Sequence, residues 1–159
     1  MNLKELYEKN IEILNQLNIK FKECDHEPVL SYETAKSIRK RFNLTGIESK
    51  NLFLKSKDSK YYLLLTIEGK KANFDLLKSI LGKRVSLASP EELKEKTGCI
   101  PGCATPFGND EDIDIIFDQE VLKHDKWIYS PGVPEKSIEI ETKDLPKILS
   151  SMKNKIIEI

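Results

Sequence analysis

Three groups of residues carry types and spacings that could do chemistry. The first is Lys50, which stands immediately before the apolar run Asn51-Leu52-Phe53-Leu54. Its ammonium would be held at a strand edge near the core, although most lysines are simply exposed. The second is the stretch Thr97–Gly108, TGCIPGCATPFG, with three of the seven glycines, two of the seven prolines and two of the three cysteines. Gly opens backbone geometries closed to other residues and Pro fixes φ, so the main chain of such a loop can itself be a working surface. Loops collect these residues anyway, and by composition alone an ordinary connection is the better reading. The third group is Lys36, Arg39 and Lys40, which share a helix face, with Arg41 extending it. A solvated face is the simpler account, and a phosphate-contacting patch the alternative.

Other standard sites are missing from the sequence. It has no Gly-x-x-x-x-Gly-Lys-Ser/Thr loop, no Gly-x-Gly-x-x-Gly and no His-Glu-x-x-His. Neither His26 nor His124 lies in a recognisable nucleophile context. Cys99 and Cys103 are spaced C-x3-C, but no second Cys pair or His cluster completes a zinc site, so no metal or cofactor is expected. The two thiols could form a redox pair, but they read more simply as small, partly buried loop residues.

The elements that must position these groups follow from length and pattern. At 159 residues, with 33% charged and 39% hydrophobic residues, the chain reads as one globular domain over 1–159. Basic and acidic residues number 26 each, which removes a whole-molecule field as the means of capturing nucleic acid. No apolar run approaches a membrane span and no signal-peptide h-region opens the sequence. Together with an odd number of cysteines, this predicts a cytoplasmic protein with reduced thiols and no membrane partner.

A 3.6-residue stripe of Leu3, Leu6, Tyr7, Ile11, Leu14 and Leu17 predicts a first helix, and Ile19 and Phe21 a short strand. Ser31 caps a helix to about Phe42. Asn51–Leu54 and Tyr61–Ile67 read as strands joined by a turn at Lys57-Asp58-Ser59, the second central because it is apolar throughout. Asn73 caps a helix over Phe74–Leu81 closed by Gly82, and Val85–Leu87 is a short strand. Ser89-Pro90-Glu91-Glu92 is a capping box closed by Gly98. Strands follow at Asp112–Phe117, Trp127–Tyr129 and Ser137–Ile140. Thr142 is expected to cap a last helix to about Met152, with Pro146 in or beside its first turn. The apolar tail Lys155–Ile159 has no evident reason. Interspersed elements without regular βαβ spacing give a mixed-sheet α+β domain.

Lys50–Leu54 (KNLFL), Ser86–Leu93 (SLASPEEL) and Gly98–Gly108 (GCIPGCATPFG) resemble the aminoacyl-tRNA deacylase superfamily named for YbaK and the prolyl-tRNA synthetase editing domain. The similarity is strongest to its free-standing ProX (PrdX-type) members. It runs from about Ile19 to Leu149 and includes His26–Ala35, with Leu30 and Ser31 where the family has Phe and Thr. The resemblance implies a mixed, mostly antiparallel sheet forming a closed or nearly closed barrel with helices packed around it. It implies that Lys50 orients the substrate's carbonyl or terminal ribose. Gly102-Cys103-Ala104-Thr105-Pro106 would be the GxxxP loop, with the main chain of Gly102 and Ala104 facing the scissile ester and Cys103, Thr105 and Pro106 beside the substrate. Asn51 would support the lysine or the terminal adenosine, with Leu30 and Ser31 also in the pocket.

The implied activity is deacylation of mischarged tRNA, first Ala-tRNA(Pro), by a monomer that could associate with prolyl-tRNA synthetase. The Ala-specific members carry His-Pro and then Asn-Thr late in the domain, whereas this chain has Tyr129-Ser130-Pro131-Gly132-Val133-Pro134. That Ser-x-Gly resembles the branch clearing Cys-tRNA(Pro), which makes Ser130 and Gly132 candidate pocket residues and Cys-tRNA(Pro) the alternative substrate. Lys36, Arg39 and Lys40 are the candidate tRNA contacts. A non-catalytic tRNA- or synthetase-binding module and a thiol-redox protein remain the other classes.

Overall fold

The structure, a computed structural model, describes residues 2–29 and 31–159. Its elements in chain order are α1 (Leu3–Gln16), β1 (Phe21–Asp25), α2 (Tyr32–Arg41), β2 (Ile47–Ser56), β3 (Tyr61–Ile67), α3 (Phe74–Leu81) and β4 (Val85–Leu87). There follow α4 (Pro90–Thr97), β5 (Asp114–Phe117), β6 (Lys126–Tyr129), β7 (Lys136–Glu141), α5 (Leu145–Ser151) and β8 (Ile156–Glu158). Short 3-10 turns cover Gln119–Lys123 and Thr142–Asp144.

Local signals fix most helix starts. Asn2 and Glu5 form a capping box on α1, and Ser89 and Glu92 form one on α4. Ser31 and Asn73 accept from the N–H groups of Thr34 and Leu76, capping α2 and α3. Thr142 is not the cap of α5: its hydroxyl donates to the His124 carbonyl, and a 3-10 turn precedes the helix. Pro146 lies in the first turn of α5, where its missing N–H costs no helical bond.

All eight strands join one sheet in the order β1-β7-β6-β2-β3-β5-β8, with β4 pairing β2. β1·β7, β7·β6, β2·β3 and β2·β4 are antiparallel, whereas β2·β6, β3·β5 and β5·β8 are parallel. Among the described residues the path does not close, because β1 and β8 end it without pairing each other. The sheet is therefore mixed and its path open, so the α+β class with a mixed sheet holds while the closed or nearly closed barrel expected is not confirmed. The apolar tail finds its reason here: Ile156–Glu158 adds an edge strand beside β5, and Asn154 ties it to the carbonyls of Asp110 and Ile113 at 2.8 Å each.

Alternation along the strands fills both faces. Leu63 and Leu65 join Phe53, Trp127, Tyr129 and Phe107 in the main core, with Leu6 and Leu14 of α1 and Ile148 of α5 over them. Tyr62 and Leu64 face the other way, onto Leu77 of α3. This double burial is why YYLLLTI reads as one apolar run.

Candidate functional site

β2 is paired unevenly. Along Ser49–Lys55 one edge is held by β3, while the other pairs β6 only at Ile47–Glu48 and β4 only at Leu54–Ser56. Between those contacts the sheet has a gap, and a cavity of about 490 Å³ opens there. Its walls are the middle of β2, the Pro101–Ala104 segment, the start of α2 and the Tyr129–Ser130 end of β6. A more open hollow of about 560 Å³ lies on the other side of Arg39, against Gly46, Glu68 and His124, and collects none of the predicted catalytic groups.

Lys50 lines the cavity, and its Nζ donates to the Lys70 carbonyl at 2.9 Å. That carbonyl is itself positioned. The Lys70 ammonium pairs with Asp118 at 2.6 Å and Glu120 at 2.7 Å, and Thr66, opposite Lys50 in β3, donates to Asp118 at 2.8 Å. Burial alone would raise the Asp118 carboxyl, but hydrogen bonds from Lys70, the Glu120 N–H and Thr66 carry it below its ordinary value. The lysine is thus held by one donor while its ammonium keeps two others for an occupant.

The loop opposite is anchored by Asn51, whose Nδ2 donates to the Ala104 carbonyl at 3.0 Å. The Asn51 Oδ1 is buried without a partner among the described residues, a cost of about 1–3 kcal/mol for a group of this kind. The amide orientation is nonetheless fixed, because only its NH₂ can face a carbonyl. Asn51 therefore joins β2 to the loop. Gly102 has φ +84°, and a Cβ there would meet nothing within 4 Å, so its conformation, not crowding, calls for glycine. The N–H groups of Gly102 and Ala104 donate to no other group among the described residues, whereas the Cys103 N–H closes a turn onto Ile100 at 3.0 Å. Lys50, Gly102 and Ala104 thus line one cavity, and the main-chain N–H groups of the last two are unspent among the described residues, a set of types suited to holding a carbonyl oxygen as it turns anionic.

Not every predicted residue reaches the cavity. Ser31, Cys103 and Ser130 line it beside Lys50, Asn51, Gly102 and Ala104. Leu30 lies outside the described residues. Thr105 and Pro106 are buried under the loop and do not line the cavity; the Thr105 hydroxyl donates to Asn10 of α1 at 3.2 Å. Gly132 is also off the cavity, with φ +105° and Leu6 3.1 Å from where a Cβ would stand. Its place is to let the turn after β6 lie against α1. Of the basic face, Lys36 and Lys40 are exposed, but Arg39 is turned inward to Glu68 at 3.1 Å and Glu48 at 3.7 Å.

Cys99 and Cys103 are free and buried. Burial raises both thiols, Cys103 to about 11, so neither supplies a thiolate near neutral pH. Glu48, Tyr32 and Ser137, which no motif marks, also line the cavity. For Glu48 a signal existed: residues two apart on a strand share a face, so Glu48 accompanies Lys50.

The model of a family described as the aminoacyl-tRNA editing domain matches residues 26–148. The chain is 29% identical over 147 residues, 89% of its length and 87% of the relative's, to the "Multifunctional Ser/Thr-tRNA deacylase ProXp-y" of Escherichia coli (strain K12). It is 35% identical over 98 residues, 56% of the chain and 58% of the relative, to the mouse (Mus musculus) "Prolyl-tRNA synthetase associated domain-containing protein 1". Among solved structures, the hypothetical protein APE2540 superimposes with a TM-score of 0.80 at 18% identity, covering 94% of this chain and 97% of that one. A candidate trans-editing enzyme for prolyl-tRNA synthetase gives 0.72 at 19%, covering 96% and 95%. At these identities the two structures speak for the fold alone.

Proposed function

The chain belongs to the aminoacyl-tRNA editing domain family, and from that premise we propose that it is a trans-editing hydrolase that removes a small amino acid from mischarged tRNA, with Ala-tRNA(Pro) the first substrate to test. The observation that carries this reading is the pairing across one cavity of Lys50 with the unspent N–H groups of Gly102 and Ala104. Water adds to the ester carbonyl, and the charge built on its oxygen is met by these donors. The C–O bond to the terminal ribose then breaks, and the proton lost by the water ends on the ribose oxygen. A water placed by the ribose's neighbouring hydroxyl needs no protein base, in keeping with a cavity wall that has no histidine among the described residues. Each preorganised donor of this type is worth about 10²–10³ in rate.

The need for such a reaction is energetic. A methylene distinguishes substrates by only about 1–3 kcal/mol, so a synthetase pocket built for a larger residue admits smaller ones. A second, hydrolytic site supplies the missing accuracy.

A second reading concerns the amino acid. The Escherichia coli relative is named for Ser and Thr, and the hydroxyls of Ser31, Ser49, Ser130 and Ser137 stand on residues around this cavity. Seryl and threonyl esters therefore join alanyl and cysteinyl ones as candidates. The test is deacylation of Ala-, Ser-, Thr-, Cys- and Pro-tRNA(Pro) by the wild type and Lys50→Ala. The wild type should clear at least one non-cognate ester and spare Pro-tRNA(Pro), and the variant should lose about 10²-fold or more. Unchanged turnover by the variant would remove Lys50 from the mechanism. Tight tRNA binding with no hydrolysis of any ester would leave a binding module instead.

A further inference from the structure

One charged group in the cavity wall has no task in the reaction as described. Glu48 precedes Lys50 by two residues in β2, so both side chains leave the strand on the same face, and both line the cavity. The Glu48 side chain is 16% exposed. Its nearest cation is Arg39 at 3.7 Å, beyond hydrogen-bonding distance, because Arg39 makes its close contact, 3.1 Å, with Glu68. The neighbouring Lys50 ammonium bonds to the Lys70 carbonyl instead. Among the described residues no group donates a hydrogen bond to the Glu48 carboxylate.

A carboxylate taken from water without donors is costly unless something else supplies them. Burial raises Glu48 to about 7, against the pull of Arg39, with Glu68 adding to the rise. Apart from the water that still reaches it, an occupant of the cavity is the remaining source of a close donor. Every aminoacyl ester carries such a donor, the free α-ammonium, one carbon away from the carbonyl that Lys50 and the Gly102–Ala104 segment would hold.

We propose that Glu48 receives the α-ammonium of the aminoacyl group, so that the ester is fixed at the amine by β2 and at the carbonyl by the lysine and the loop. This rests on the editing reading above and adds a selectivity to it. An N-acylated ester, such as a peptidyl end, offers the carboxylate one neutral amide N–H in place of an ammonium and so forgoes the charge-assisted bond. The site would then require a free amino acid, whichever small side chain it accepts, and spare chains in synthesis. Charge-assisted hydrogen bonds of this kind are the stronger class, and removing one partner of a buried charge pair costs roughly 30-fold or more in binding.

The experiment uses non-hydrolysable mimics of the tRNA end, 3′-seryl- and 3′-alanylamido-3′-deoxyadenosine and their N-acetyl forms, titrated calorimetrically into the whole chain. Deacylation of Ser- and N-acetyl-Ser-tRNA is measured alongside. The wild type should prefer the free-amine mimics by about 30-fold or more, and Glu48→Gln should abolish that preference while binding the N-acetyl forms as before. Equal binding of both forms by the wild type overturns the proposal, as does a Glu48→Gln variant weakened equally for both. If Glu48→Gln does not fold, the wild-type preference and its retention in Glu48→Asp decide. Hydrolysis of Ser- and N-acetyl-Ser-tRNA at equal rates rejects the ammonium site and leaves the editing reading standing. Absence of all hydrolysis rejects the editing reading, while the mimic titration still judges Glu48 by itself.

Discussion

The two halves of the loop after α4 are built in opposite ways. From Thr105 to Asn109 it is buried and bolted down. Asn10 of α1 donates to the Phe107 carbonyl at 3.0 Å and accepts from Thr105, and Asn109 donates to the Thr105 carbonyl at 2.9 Å. The Phe107 ring meets Tyr129 edge-on at 5.2 Å. From Pro101 to Ala104 the same loop is held by a single turn bond, by Asn51 and by a long 4.0 Å contact from the Cys103 thiol to the Val29 carbonyl, and Pro101 and Gly102 are exposed. The contrast explains how a surface loop can be precise without spending its donors. Rigidity comes from the buried half, which leaves the N–H groups of the other half unused by the protein. Damage to the first half should therefore appear in stability, and damage to the second in catalysis.

The largest effect is expected from Asn10→Ala. It strips partners from the buried carbonyl of Phe107 and the hydroxyl of Thr105, while the Leu6 carbonyl keeps its helical bond. Each unsatisfied buried group costs about 1–3 kcal/mol, so urea unfolding should show a loss of about 2–4 kcal/mol. At low temperature, where the variant is folded, kcat/KM should stay within a few-fold of wild type. A large catalytic defect without a stability defect would break the division between the halves.

Asn51→Asp tests the open half. It replaces the NH₂ that holds the Ala104 carbonyl with a second acceptor, so the loop is pushed from β2 while the main core is untouched. Deacylation should fall by about 10²-fold, the scale of one misplaced oxyanion donor, when assayed at a temperature where the variant is folded despite the cost of its partly buried carboxylate. Retained activity would mean that the joint between β2 and the loop is incidental.

The same contrast marks what the sequence reveals. Caps at Ser31, Asn73 and Ser89 are local devices in which a side chain meets an N–H three residues on, and each is readable in order. Thr142 has the right residue type, but its hydroxyl is taken by a carbonyl eighteen positions away, a competition no local pattern displays. The strand at Asn51–Leu54 actually begins at Ile47, and Ile-Glu-Ser-Lys hides it because that half borders the cavity and so lacks a core alternation. Glu48 was overlooked with it. Residue type and position mark Lys50 and the Gly-rich loop, and the family motifs narrow the loop to Gly102–Pro106, but Thr105 and Pro106 belong to the bolted half and do not line the cavity. Sheet closure depends on which strands end the path, and that was not readable either.

Glu48 belongs to the open side, and its burial without a donor should be visible in the pH dependence of stability. Its carboxyl is raised from 4.5 to about 7 by burial, lowered by Arg39 and raised again by Glu68; the Tyr32 phenol, also on the cavity wall, is neutral throughout this range. Between those two values the folded chain holds a proton that the unfolded chain has lost. Stability from this group therefore falls as pH rises across the window. Glu48→Gln removes the term, so the variant should gain on wild type between pH 5 and pH 8 by about 1–2 kcal/mol in urea titrations. No change with pH would show the carboxylate to be well satisfied in the free protein and would weaken the case for an incoming ammonium.

The smallest effect concerns the outer rim, where α2 carries its basic face past the cavity. Arg39 is already committed to Glu48 and Glu68, so reversing it would disturb the cavity wall as well as any tRNA contact. Lys36 and Lys40 are exposed and make no ion pair among the described residues, which makes them the cleaner probes. With a net charge of zero the chain has no general attraction for a polyanion, so any salt dependence of tRNA binding must come from local cations. If each lysine meets one phosphate, Lys36→Glu with Lys40→Glu should flatten the slope of log affinity against log salt by roughly 1.4–1.8. KM for aminoacyl-tRNA should rise while kcat holds, because the chemistry between Lys50 and the loop is untouched. An unchanged slope would return this face to solvent and move the tRNA footprint to another side of the cavity mouth.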